Sequence, residues 1–455
     1  MNTEKRTLCR TILIGIFLLG MMVPPAGVEA NGQVSLDGPP AVCAPLGPPG
    51  GNTVAVSTVT GLENAVNNAT PGDTILVADG IYDLNGVYLR IDTPNVSIRS
   101  ASGDRTAVVL DGNYITTEII QIVASNVTVA DLTLREAYNH PIHVMSTSGA
   151  DTLNALIYNV HIIDPGEQAV KINPVPGGYY PDSGVIACSH IELTDAGRPF
   201  IRNNCYTGGV DGHQARDWVI RDNLIEGFWC DSGLSEHGVH MWSGSRDTVV
   251  ERNLLLDNAR GAGFGLVTGG SGRTYGDNPC PEAGGSSVDH YGGVIRNNFI
   301  VAQDSDLFSS DFGFDCGICL WNACHAKALH NSFFTFDSGS TFSSIEWRFS
   351  NTHAEIYNNL ANHTMRERDE ATAVESGNLT GAQASWFVNP SGGDLHLVSG
   401  ALSAIDQGDV AGAVAVDFDS EFRPVGPGYD IGADEFGGSP FIPTTFLHLP
   451  VVIRD

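Results

Sequence analysis

Ile220-Arg-Asp-Asn223-Leu-Ile225 returns as Val250-Glu-Arg-Asn253-Leu-Leu255, Ile295-Arg-Asn-Asn298-Phe-Ile300, Leu329-His-Asn-Ser332-Phe-Phe334 and Ile356-Tyr-Asn-Asn359-Leu-Ala361. Upstream, Ile157-Tyr-Asn-Val160-His-Ile162 and Val129-Ala-Asp-Leu132-Thr-Leu134 keep the apolar spacing without the second Asn, and Asn95-Val-Ser-Ile98 matches Asn126-Val-Thr-Val129. Equivalent positions are separated by 31, 28, 63, 30, 45, 34 and 27 residues. A period near 30 built from short alternating apolar strands is one turn of a right-handed parallel β-helix with three sheets. The steps of 63 and 45 are either single turns with long loops or double turns. Each strand stacks on its counterpart in the next coil, so inward Val, Ile, Leu and Phe form a core that no coil could bury alone. The recurring Asn is read as structural: in a left-handed or bridging turn its amide bonds to the Asn above and below.

The ends are also patterned. Leu62-Glu-Asn-Ala65-Val66-Asn-Asn-Ala69 has helical apolar spacing, and Pro71-Gly72-Asp73 breaks it before the strand Thr74-Ile-Leu-Val77. A short helix here covers the open N-terminal end of the core. Residues 1–30 carry Lys5, Arg6 and Arg10, an apolar run from Thr11 to Val23, and Val28-Glu29-Ala30 before Asn31. That order reads as a secretory signal peptide, so the mature chain is expected outside the cell or on its surface, without membrane insertion. The expected layout is then a linker over 31–54, the β-helix over 55–365, a C-terminal coil and capping segment over 366–436, and a linker with an apolar tail over 437–455. The tail, with Phe446-Leu-His-Leu-Pro450, is either a sorting signal or a last packed strand.

Removing the leader takes away three of 23 basic and two of 52 acidic residues and leaves a net charge of −30. Such a surface repels nucleic acid, because phosphate binding depends on clustered Lys and Arg. Eight cysteines remain after Cys9 leaves, an even number that reads as disulfides in an exported chain, with the pairing left open. Cys316-x2-Cys319-x4-Cys324-His325 has zinc-ligand residue types, yet its short spacing and oxidising export favour disulfides, and no metal is assigned.

Helix, then Pro-Gly-Asp-Thr-Ile-x-Val-x-x-Gly-x-Tyr over Pro71 to Tyr82, resembles the opening of the pectin-lyase-like right-handed β-helix superfamily. Ala404-Ile-Asp-Gln-Gly408 and Arg423-Pro-Val-Gly-Pro-Gly-Tyr-Asp430-Ile-Gly-Ala-Asp434-Glu-Phe436 are similar to the closing segment of many secreted bacterial β-helix proteins, which covers the other end. The resemblance implies a monomeric carbohydrate-active protein acting on an extracellular polysaccharide, since the superfamily holds lyases, glycoside hydrolases, esterases, epimerases and non-catalytic surface proteins.

Side chains alternate along a strand and coils lie about 4.8 Å apart, so outward groups at matching positions form a column. With Ile142/Val144, Val170/Ile172, Val239/Met241, Phe264, Ile318/Leu320 and Ile345 inward, the column holds His143, Lys171, His240 and Glu346 or Arg348. Glu236, His237, Arg260 and Asp315 stand just before it, and Trp242 follows. Segments 173–217 (Tyr179, Tyr180, His190, Arg202, Asp211, His213) and 267–292 (Tyr275, His290, Tyr291) are expected to wall the groove with rings that stack on sugars. The leading chemistry is β-elimination: Lys171 or His240 as base, Arg260 or Arg348 as cation, Glu236 and His237 beside them. His143, Asp211, His213, Trp242, Asp315, Glu346 and Arg348 are expected to bind substrate. The resemblance further implies calcium, with Glu236 or Asp315 as ligands. The family's Lys-then-Arg motif is absent from its expected coil. Hydrolysis by two of Glu236, Asp315, Asp211 and Glu346 is the alternative, though the Asp-Asp pair of β-helix polygalacturonases is also absent. A non-catalytic glycan-binding surface protein is the third reading.

Overall fold

A computed structural model describes residues 43–267 and 272–438. The signal-peptide and C-terminal-tail readings fall outside the described residues. Three long parallel sheets of 14, ten and ten strands stack along the chain, with consecutive strands of each coil passing from first to second to third sheet. In the first coil these are Thr74–Val77, Gly80–Asp83 and Leu89–Ile91. Strands are short because each coil turns three times, and parallel pairing buries one face along the entire stack.

The turn from first to second sheet takes a single residue in the left-handed region. Asp131, Asn159, Cys188, Asp222, Arg252, Asn297, His330 and Asn358 occupy it, with φ between 49° and 58°. The ladder Asn is the residue after it, which corrects the sequence reading that placed the Asn itself in that conformation. Asn223 Nδ2 donates to Asn253 Oδ1 at 2.9 Å, Asn253 to Asn298 at 3.0 Å, Asn298 to Asn331 at 2.9 Å, Asn331 to Asn359 at 2.9 Å and Asn359 to Asn378 at 3.0 Å. Each Oδ1 also accepts the backbone N–H of the preceding rung, as at Asn253 N to Asn298 Oδ1 (2.9 Å). The strand register pairs Ala328 with Ile295, so the rung is Asn331 and not Ser332, one residue from the sequence alignment.

The 63-residue step is two coils. Val185–Ala187 and His190–Glu192 supply the hidden one, with Cys188 in the left-handed position and Ser189 as a short rung whose N–H donates to Asn223 Oδ1 (2.9 Å). The 45-residue step is one coil, because Leu254–Leu256 pairs directly with Phe299–Ala302 and the excess lies in the loop after Phe264.

At the N-terminal end, helix α1 (Val59–Asn67) is capped by the Thr58 hydroxyl and turns Leu62 and Val66 into the core beside strand Thr53–Val56. Disulfides join Cys43–Cys188, Cys205–Cys230, Cys280–Cys324 and Cys316–Cys319. They consume all three thiols of the zinc-like cluster, and His325 stands half-exposed against Glu282 at 3.4 Å.

The C-terminal segment lies along the flank of the last coils. Phe387, Leu395, Leu397, Ala404, Ile431 and Ala433 cover the outward Phe299, Val301, Phe334 and Leu360 of the second sheet. A fully buried Arg423–Glu435 pair (3.1 Å) anchors it. His396 Nδ1 lies 2.6 Å from Asp394 Oδ1 and its Nε2 2.8 Å from Asp419 Oδ2. Burial opposes the imidazolium, but these carboxylates raise its pKa to about 11 from an ordinary 6.5. A raised folded-state pKa gives stabilisation that is full below about pH 6.5 and drains as pH climbs toward 11. The difference in thermal midpoint between wild type and His396→Gln should therefore be widest near pH 6 and close only above about pH 11. A gap that ignores pH would remove the charge from this account. No helix among the described residues is long and apolar enough to cross a membrane.

Candidate functional site

The third sheet carries the column. Its register runs His143, Lys171, Asp211, His240, Gly263, Cys319, Glu346 on successive strands. The facing-in residues expected from sequence, from Ile142 to Ile345, are buried in the core. Asp211 and His213 belong to the strand Gly208–His213, not to a wall loop, because segment 173–217 contains the hidden coil. His190, expected on that wall, stands on the outside of the second sheet, stacked on His161 with ring centroids 4.5 Å apart.

Lys171 Nζ donates to Asp211 Oδ2 and to Tyr206 Oη (3.0 Å), and lies 3.0 Å from His213 Nε2, which itself reaches Asp211 Oδ2 at 3.2 Å. Asp211 Oδ1 accepts the Trp242 indole N–H at 2.8 Å, and His213 packs edge-on against that ring. Burial disfavours the Lys171 ammonium, yet the Asp211 carboxylate and Tyr206 outweigh it and raise the pKa further. Burial likewise pushes Asp211 up, and Lys171 with His213 pulls it well below the usual carboxylate range. Lys171 is therefore a fixed cation at neutral pH. The expected role of free base does not suit it; charge stabilisation does.

His240, expected as the alternative base, is fully buried, as are His237 and Glu346. His240 Nε2 donates to the Gly265 carbonyl (3.1 Å), and its Nδ1 lies 2.9 Å from Glu236 Oε2 and 3.9 Å from Asp211 Oδ1. At 2.9 Å the Glu236 and His240 atoms are near, but their geometry misses a hydrogen bond, and neither atom has another partner. His237 rests over Gly263, with its ring 4.2 Å from that of His240.

Arg260 Nε bonds Asp315 Oδ2 at 2.8 Å, and its guanidinium stands over Trp321, 4.8 Å from the ring centroid. Glu346 accepts from Trp321 Nε1 (2.6 Å) and Arg368 (3.2 Å) while its burial raises its pKa. At the other end His143 spans Glu118 (2.6 Å) and Asn173 (2.6 Å). Arg348 pairs with Asp369 and leans on Phe349, in register with Arg368. The 267–292 rings are used for packing: His290 stacks on Phe264 at 3.9 Å, and Tyr275 donates to Gly244 O at 3.0 Å, behind the Cys280–Cys324 disulfide.

Among solved structures, pectate lyase Pel9A is similar with a TM-score of 0.53 at 14% identity, over 82% of this chain and 90% of that one. This chain is a right-handed parallel β-helix protein. An alginate lyase from Paenibacillus sp. str. FPU-7 matches with a TM-score of 0.46 and 16% identity over 72% of this chain and 99% of its own. The polygalacturonase of Erwinia carotovora ssp. carotovora matches with a TM-score of 0.34 and 12% identity over 77% and 97%. No family model matches the sequence of this β-helix, and no curated protein does. At these identities the likeness concerns fold alone.

Sequence reasoning missed four members of the β-helix site: Tyr206, Trp321, Glu118 and Arg368. Tyr206 follows Cys205 and reaches Lys171 because the Cys205–Cys230 bond fixes its loop. Trp321 had a readable signal, since it lies two residues beyond Cys319 and hence on the same face. The calcium reading at Glu236 does not fit, because calcium takes six to eight oxygens and the atoms converging there are one carboxylate and two imidazoles. At Asp315 the carboxylate is already paired with Arg260.

Proposed function

We propose that this protein is an exported enzyme that cleaves an extracellular uronate-containing polysaccharide by β-elimination on the third-sheet face. The observation that carries the reading is the buried Lys171–Asp211 pair beneath the partly exposed His213. Asp211 keeps Lys171 charged and accepts from His213 Nε2 at 3.2 Å, which leaves Nδ1 as the proton-accepting nitrogen of that ring. His213 is then the base that removes the proton α to the uronate carboxyl. Lys171 and Arg260 stabilise the enolate charge, the term that dominates such barriers. Trp242, partly exposed, offers ring surface to sugar CH faces.

Hydrolysis needs two carboxylates free to flank the scissile bond. Asp211 is held by Lys171, His213 and Trp242, and Glu346 by Trp321 and Arg368, which leaves Glu236 and Asp315 as the partly open pair. Four disulfides support export to an oxidising compartment, and a mature charge of −30 supports the absence of a nucleic-acid partner. A monomer remains the expected state.

The test is ultraviolet absorbance of the purified chain with a panel of uronate polysaccharides, because elimination creates a conjugated unsaturated uronate. Absorbance should rise with wild type and stay flat with His213→Ala. A flat trace with all substrates, accompanied by new reducing ends, would assign hydrolysis; binding without either product would assign a non-catalytic glycan receptor.

A further inference from the structure

Buried ligand atoms of three residues converge within the column without hydrogen-bond partners. Glu236 Oε2, His240 Nδ1 and both ring nitrogens of His237 make no hydrogen bond. Glu236 Oε2 is 2.9 Å from His240 Nδ1 and 3.9 Å from His237 Nδ1, and one ligand atom from each residue falls within a mutual 4.8 Å. Unpaired buried polar atoms are rare because each forfeits its hydration. A proton shared between Glu236 and His240 would satisfy those two and leave the fully buried His237 imidazole alone.

We propose that Glu236, His237 and His240 form a binding site for a zinc-class divalent cation. Tetrahedral zinc with bonds near 2.0–2.1 Å sets its ligands about 3.3 Å apart, a spacing bracketed by the 2.9 and 3.9 Å seen here. Two imidazoles and one carboxylate select such an ion over calcium. Gly263 is part of the design: a Cβ there would come 2.4 Å from His237 Nε2, so only glycine lets the ring lie across this strand. The second His/Glu cluster differs. His161 and His190 on the second sheet already bond Glu192 (2.7 Å) and Glu226 (2.6 Å), so no ring there lacks a partner. The site stands on its own observations. Its role, adding positive charge where a uronate carboxylate would sit on a chain of net charge −29, rests on the elimination reading.

The experiment uses the full chain, stripped with chelator and titrated with Co²⁺ and with Zn²⁺, in a His161→Ala/His190→Ala background that removes the surface cluster. One equivalent of Co²⁺ should bind with the visible ligand-field bands of a tetrahedral N/O site. His237→Ala and Glu236→Gln should each weaken binding at least about 100-fold, and Gly263→Ala should weaken it by displacing the ring. Should His237→Ala fail to fold, Glu236→Gln at its partly exposed position still decides the matter. Absence of stoichiometric Co²⁺ in the parent, or unchanged affinity in Glu236→Gln, overturns the site. Cobalt bound without cleavage of any polysaccharide leaves the site and removes the elimination reading. Full-rate cleavage by stripped protein that binds no cobalt does the reverse.

Discussion

Asn298→Ala should lower the unfolding free energy by about 3–5 kcal/mol, the cost of two to three buried backbone or amide groups left without partners at roughly 1–3 kcal/mol each. Asn298 Oδ1 accepts both the N–H and the Nδ2 of Asn253, while its own Nδ2 donates to Val250 O, Arg296 O and Asn331 Oδ1. Alanine removes all of these at once, and water cannot replace them at a fully buried position. Asn298→Asp should be worse despite its equal shape, since a carboxylate oxygen would then face three acceptors. Asn52→Ala is the control: exposed, with a side-chain bond to Asp73 at 3.1 Å, it should change stability by less than about 1 kcal/mol. Denaturant midpoints of the three variants check this. An Asn298→Ala midpoint equal to that of Asn52→Ala would mean the rungs merely accompany the turn.

The second large effect is at Lys171. Lys171→Ala should lower kcat by about 10³-fold, the scale lost when a group aimed at developing charge is removed. It should also cost about 3–5 kcal/mol of stability, because the buried Asp211 carboxylate is left without its ammonium. The two losses can be separated. Lys171→Met/Asp211→Leu removes both charges together and should recover most of the stability while turnover stays absent. Recovery of turnover along with stability would make the pair a packing device and move the chemistry elsewhere. The pH behaviour gives an independent check. Asp211 lies far below the ordinary carboxylate range, so its stabilisation is lost only in strong acid; Lys171 lies above an ordinary 10.5, so its share is lost only in strong base. Between these limits the pair should be insensitive to pH.

Sequence alone determined the coil. The spacing of Ile220, Val250, Ile295 and Ile356 reports which residues must leave water, and one-face burial in stacked strands permits a single periodic solution. The same parity places His143, Lys171, His240 and Glu346 in one column, because alternation along a strand is a local property. What the period could not resolve was the coil through Ile186 and Ile191, where Ser189 replaces the Asn rung and the pattern falls silent. It also slipped by one residue at Asn331, since Leu329 is as apolar as the true anchor, Ala328. Tertiary structure decided the rest. Whether an outward side chain meets solvent depends on loops from other coils, and those loops bury His237 and His240 while leaving His213 within reach. Cysteine pairing, the flank position of the C-terminal segment and the convergence of Glu236 with two imidazoles all depend on distances between residues far apart in the chain or on opposite sides of a turn, which local periodicity does not encode.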